Sequence, residues 1–135
     1  MPLIVWDDKF NVNIGEIDRQ HQQLVNMVNK LNDAMRQGKG KEILAGTLSG
    51  LISYTRTHFG TEEKYFERFA YPDTAAHLNE HQAFVAKVVD FNQKFTAGQI
   101  GLTIELMNFL SDWLVKHIQG SDKKYGPFLN SKGLN

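Results

Sequence analysis

Five histidines and no cysteine stand in a chain of 135 residues, so any metal or acid–base chemistry must run on imidazole and carboxylate. Disulfides, thiolate nucleophiles, iron–sulfur clusters and Cys-rich zinc sites are excluded. His58-x-x-x-Glu62 and His77-x-x-x-His81 each set two side chains one helical turn apart on one face, and either pair could hold one metal from one helix. His117 and Asp122 are less regular, because five residues turn an α-helix through about 500° and leave about 140° between the side chains. A helix that ends or loosens at Gly120 lets Asp122 fold back beside His117 from the post-helix turn. His21 adds a fifth imidazole.

A single buried histidine is most often a hydrogen-bonded core residue. Five on inward stripes would each need a donor and an acceptor of their own, and few such partners are visible. Two buried carboxylates without a cation would repel each other at a large desolvation cost, whereas a dinuclear cation centre neutralises both. Seven nitrogen and oxygen ligands are too many for one ordinary site and suit two ions sharing bridging carboxylates, with iron, manganese or zinc as the metals. The chain has no Glu-x-x-His motif of the ferritin-like di-iron plan and no His-Glu-x-x-His zincin motif.

Apolar periodicity supplies the elements that must position these groups. His21, Leu24, Val28, Leu31 and Met35 share one face of a helix over 18–37, capped by Asp18. Leu44, Leu48, Leu51, Thr55, His58, Glu62 and Phe66 do so over 41–66, before Tyr71-Pro72. His77, His81, Phe84, Val88, Phe91 and Phe95 mark a third helix over 74–97. Ile104, Met107, Leu110, Leu114 and His117 mark a fourth over 100–119. Short connections make neighbours antiparallel. The expected fold is therefore all-α: an up-down-up-down four-helix bundle, preceded by an extended N-terminal segment and closed by a short C-terminal turn bearing Tyr125, Phe128 and Leu129.

Length predicts one domain over 1–135, large enough to bury about two-thirds of its extended surface. Fifteen basic and fifteen acidic residues cancel, which lacks the field needed for nucleic acid or an anionic membrane. The N-terminal apolar run is broken by Asp7, Asp8 and Lys9, so it does not read as a signal peptide, and no apolar stretch approaches a membrane span. A soluble, cytoplasmic monomer is expected.

The sequence resembles the hemerythrin family over nearly its whole length. The likeness is carried by Trp6, Ile14-Gly15-Glu16-Ile17-Asp18, His21-Gln22-Gln23-Leu24, His58-Phe59-Gly60-Thr61-Glu62-Glu63, His77-Leu78-Asn79-Glu80-His81 and Trp113-Leu114-Val115-Lys116-His117-Ile118-Gln119-Gly120-Ser121-Asp122. The resemblance implies two iron ions joined by a solvent-derived oxo or hydroxo bridge. It makes His77, His81 and His117 ligands of one iron and His21 and His58 ligands of the other, with Glu62 and Asp122 bridging. It further implies that O₂ is the reversible ligand of the iron held by His21 and His58, in a pocket lined by Phe59, Trp113, Leu114 and Ile118, and that no substrate is oxidised. Glu63 is expected to be a solvated neighbour.

Storage, delivery or local supply of oxygen is the implied use, with any oxygen-consuming protein partner unnamed by the sequence. Oxygen sensing or iron handling on the same scaffold is the alternative. A di-iron oxidase or peroxidase is less favoured, because the sequence shows no acid, base or polar substrate cluster around the ligands.

Overall fold

The computed structural model describes residues 3–101 and 103–135; Met1, Pro2 and Leu102, the last inside the expected fourth helix, lie outside them. A 3₁₀ turn, Asp8–Phe10, precedes α1 (Gly15–Arg36), α2 (Lys41–Phe69), α3 (Thr74–Thr96), α4 (Ile104–Lys116) and α5 (Lys123–Ser131). A π-helical turn, His117–Asp122, joins α4 to α5. α1 packs on α2 and α4, and α2 packs on α3, giving the all-α four-helix bundle with its N-terminal extension. Among the described residues there is no strand, and no helix is long and apolar enough to cross a membrane.

The inward stripes are those of the periodicity. Leu24, Val28 and Leu31 of α1, Leu48, Leu51 and Ile52 of α2, Phe84, Val88 and Phe95 of α3, and Met107, Leu110 and Leu114 of α4 form one apolar core. Each side chain of this size contributes roughly 1.5–3 kcal/mol on full burial. A second, smaller core lies beyond the polar layer, where Ile14 and Ile17 meet Phe66, Tyr71, Tyr125 and Leu129. The histidines thus occupy the seam between two apolar clusters. Gly38 and Gly98 take left-handed backbone (φ 69° and 79°) just after α1 and α3, where the chain must reverse quickly.

Several expectations are corrected. Helix α1 starts at Gly15, three residues earlier than expected, and Asp18 is not its cap; Ile14 holds that position without a side-chain hydrogen bond. Asp18 Oδ1 instead accepts from the Val12 N–H at 2.8 Å, tying the N-terminal segment to the first turn. Asn29 pairs with both the N–H and the carbonyl of Ile4 at 2.8 Å and anchors the other end of that segment. The fourth helix starts at Ile104 rather than 100, and its cap is Thr103, whose hydroxyl accepts from the Leu106 N–H. Ile104 itself is 65% exposed rather than inward, because it sits at the first turn, beyond the end of the core. The helix does not stop at Gly120 or 119. It widens into the π-helical turn and runs on, so the expected short C-terminal turn is a nine-residue helix with Tyr125 and Leu129 fully buried.

Candidate metal centre

Each element brings its polar residues to one depth of the bundle. α1 supplies His21, α2 supplies His58 and Glu62, α3 supplies His77 and His81, and the π-helical turn supplies His117 and Asp122. All seven are buried, none more than 4% exposed. The π-helical turn is what aligns the last pair: its wider i to i+5 hydrogen bonding brings residues five apart onto one side, whereas an α-helix would separate them. Asp122 therefore comes from within a continuous helical rod, and the expected fold-back after Gly120 does not occur.

The five imidazoles present Nε2 to the two carboxylates. Asp122 lies 3.0 Å from His21, 2.9 Å from His77 and 3.0 Å from His117; Glu62 lies 3.1 Å from His81 and 3.5 Å from His58. These groups fall into two overlapping sets, Glu62, His77, His81, His117 and Asp122, and His21, His58, Glu62 and Asp122, each able to hold a metal ion. The two carboxylates belong to both.

Donor chemistry tests the fit. Both nitrogens of His21, Nε2 of His77, Oε1 of Glu62 and both oxygens of Asp122 are buried without a hydrogen-bond partner, despite neighbours at about 3 Å. His81 and His117 turn Nε2 toward Nε2 at 3.2 Å. Short separations with poor hydrogen-bond directions are what lone pairs converging on a common cation produce. Two ligand atoms at about 2.1 Å from an ion and at right angles are about 3.0 Å apart, close to the spacing seen. The residues fit a pair of metal ions.

Outer partners orient the imidazoles, and they follow a rule that sequence reading missed. Gln20 of α1 meets His58 Nδ1 of α2 at 2.6 Å; Glu63 of α2 meets His81 Nδ1 of α3 at 2.9 Å; Glu80 of α3 meets His117 Nδ1 of the π-helical turn at 3.1 Å. Each helix thus carries the outer partner of the next helix's imidazole. Holding Nδ1 as the donor leaves Nε2 free as a lone pair for metal. Glu63, expected to be merely solvated, has this positioning role while remaining 38% exposed. Ser121 donates to Glu80 and fixes it in turn. Tyr125, fully buried, donates its hydroxyl to Glu62 Oε2. The available signal was adjacency, since Gln20, Glu63 and Glu80 each neighbour a member of the cluster in the chain.

Without metal, the cluster balances charge by protons. Burial opposes charge on His21 and His117, but Asp122 and Glu62 outweigh it and raise both to about 9. Burial dominates at His58 and lowers it to about 4. Burial and mutual repulsion push Glu62 up, burial pushes Asp122 up, and the surrounding imidazoles reverse both shifts, leaving each carboxyl below its usual range. The protonated forms of His21 and His117 are thus favoured beside the two carboxylates, and incoming metal must displace those protons.

The four apolar residues expected to line an oxygen pocket belong to the larger apolar core or pack against it. Phe59, Leu114 and Ile118 are buried and Trp113 is half-buried. Phe59 stacks on His81 with centroids 3.7 Å apart, and Trp113 stacks on His117 at 4.3 Å. Both rings therefore press on the three-histidine set.

Comparison with known proteins agrees with this architecture. The family model described as hemerythrin HHE cation binding domain matches residues 12–129. A bacteriohemerythrin of Methylococcus capsulatus is 39% identical over 132 residues, covering 97% of this chain and 100% of the relative. One from Stenotrophomonas maltophilia is 35% identical, covering 93% of this chain and 80% of the relative. A solved wild-type hemerythrin superposes with a TM-score of 0.89 at 38% identity, over 93% of this chain and 96% of that one.

Proposed function

The chain belongs to the hemerythrin family, in its bacteriohemerythrin branch, and from that membership and the geometry of the cluster we propose that it binds O₂ reversibly at a non-haem di-iron centre. Members of this family are typically oxygen binders rather than catalysts. The reading takes residues 1–135 as one such domain, acting as a cytoplasmic monomer in oxygen storage, delivery or local supply.

One observation carries it: seven buried ligand-type side chains form two metal-sized sets that share both carboxylates. His77, His81 and His117 would hold one iron, His21 and His58 the other, with Glu62 and Asp122 bridging beside a solvent-derived oxo or hydroxo group. Iron held there in the ferrous state would supply the electrons for reversible O₂ capture. The protein's own part is positional and protective. Gln20, Glu63 and Glu80 fix three imidazoles, and Tyr125 fixes Glu62. Five ligands against four leaves the His21 and His58 side with the smaller donor set, which suits it to admit a further ligand. Phe59, Trp113, Leu114 and Ile118 would form the apolar wall that keeps water and stray proton donors away from captured oxygen.

Cycling the anaerobic, ferrous-loaded protein between oxygen-free and oxygenated buffer tests the function. The expected result is a visible charge-transfer band that appears with O₂ and disappears on its removal over repeated cycles, with no added reductant consumed. Irreversible oxidation in the first cycle, or continuous reductant consumption, would contradict it.

A further inference from the structure

The outer partners of the imidazoles divide the cluster unequally. A histidine that gives Nε2 to a metal carries its proton on Nδ1, so whatever meets Nδ1 decides how readily the ring serves as a ligand. In the three-histidine set, His81 and His117 turn Nδ1 to the carboxylates of Glu63 at 2.9 Å and Glu80 at 3.1 Å, and Ser121 donates to Glu80 in turn. Of His77, Nε2 alone is a buried atom without a partner, and the ring borders an opening where water can serve Nδ1. In the two-histidine set, His58 Nδ1 meets the neutral amide oxygen of Gln20 at 2.6 Å, and the amide nitrogen of Gln20 donates to Thr61 at 3.3 Å. His21 Nδ1 is buried and has no hydrogen-bond partner among the described residues.

A hydrogen bond to a carboxylate is roughly twice as strong as one to an amide, and it raises the basicity of Nε2. A ring whose Nδ1–H is buried without an acceptor must bear that cost to bind metal at all. Charge acts in the same direction, because two ions sharing both carboxylates repel each other and the position with the more negative surroundings takes the first. The nearby cations leave the two outer carboxylates unpaired. Arg56, which lines a cleft with Glu63, and Lys124, which lines the opening beside His77 with Asp73 and Glu80, are both exposed and form no ion pair among the described residues.

We propose that the centre loads in order and holds its two metals unequally: the position of His77, His81 and His117 takes the first ion and keeps it, and the position of His21 and His58 takes the second and exchanges it, with the charges of Glu63 and Glu80 against the neutral Gln20 setting the gap. This rests on the dinuclear reading above and gives that centre a regulation. The exchangeable metal is the one on the side suited to a further ligand. At limiting iron the chain therefore keeps one metal and loses the position at which O₂ would be captured.

The metal-free chain is titrated at one fixed pH, anaerobically with ferrous iron in a calorimeter, and with zinc while the imidazole nitrogens are followed by NMR. Two resolved steps are expected in the parent, the first tighter by about tenfold or more. The first equivalent of zinc should shift Nε2 of His77, His81 and His117, and the second those of His21 and His58. Glu63→Gln and Glu80→Gln keep an acceptor but drop the charge, and each should weaken the first step about tenfold; Gln20→Glu adds charge at the other position and should tighten the second step about tenfold. All three positions are half-buried, and circular dichroism checks that the variants keep the parent's fold. Equal steps in the parent, or His21 and His58 shifting with the first equivalent, overturn the order. Unchanged affinities in the folded charge variants overturn the role of the outer charges, since a partner that only orients its ring would survive these exchanges. Both readouts are taken without O₂, so ordered loading by a chain that fails to bind O₂ reversibly would contradict the function proposed above and leave this inference standing.

Discussion

Replacing Tyr125 by Phe removes one hydroxyl from the middle of the bundle and leaves the ring in place. The ring is held at centroid distances of 5.2 Å from Phe66, 5.6 Å from His77 and 6.3 Å from Tyr71, so the substitution keeps the packing. What goes is a hydrogen bond donated to a fully buried carboxylate. Glu62 Oε2 is then left with His21 Nε2 at 3.8 Å, beyond hydrogen-bond range. A hydrogen bond to a charged partner contributes about 1.5–3 kcal/mol. For 135 residues the unfolding entropy is about 0.28 kcal/mol per kelvin. The melting midpoint of metal-free Tyr125→Phe should therefore fall by about 5–11 °C, read by circular dichroism at neutral pH. Tyr71→Phe is the control, because Tyr71 is also buried but its hydroxyl has no hydrogen-bond partner among the described residues; its midpoint should move by no more than about 2 °C. If Tyr125→Phe melts as close to the parent as the control does, the hydroxyl does not hold Glu62 and the account of that carboxylate is wrong.

A Cβ at Gly126 would stand 2.7 Å from the Val12 carbonyl oxygen, so Gly126→Ala should lower stability by about 1–3 kcal/mol in a urea titration, and an unchanged midpoint would contradict the close contact between α5 and the N-terminal segment. Leu114→Asn puts a polar group into the apolar wall and should speed autoxidation of the oxygenated protein, followed as decay of its visible band; an unchanged rate would remove Leu114 from the pocket. Metal-free stability should peak near pH 6.5. His21 and His117, raised from 6.5 to about 9, stabilise fully below 6.5 and lose that contribution as pH rises through 9. His58, lowered to about 4, contributes above 6.5 and loses it as pH falls through 4, with the lowered Glu62 and Asp122 acting in the same direction at more acid pH. Urea midpoints across this range that rose steadily toward pH 9 would refute the charge balance.

The parts of the site that repeat an α-helical turn were legible in the sequence. His58 with Glu62 and His77 with His81 lie where a spacing of four places them, on helices whose apolar stripes point them inward. His117 with Asp122 could be named as a pair but not built, since nothing in the apolar pattern marks a π-helical turn. The start of α1 was misread for a related reason. Asp18 looks like a cap, but its carboxylate is used from inside the first turn, by the N–H of Val12 six residues back. The outer partners were not visible because each works between helices: Glu80 lies beside His81 in the chain yet serves His117, and only the bundle's neighbour relations reveal it. Gly126 likewise gave no sign of the N-terminal segment that lies against it.

The central claim is a single centre of two irons built on both shared carboxylates. Anaerobic titration of the metal-free chain with ferrous iron, counting metal retained per chain after gel filtration, tests it most directly in parent and Asp122→Asn. The account predicts two irons per chain in the parent and loss of the pair in the variant, because Asp122 faces His21, His77 and His117 together. A parent that retains one iron or none, or an Asp122→Asn chain that still retains two, would contradict it.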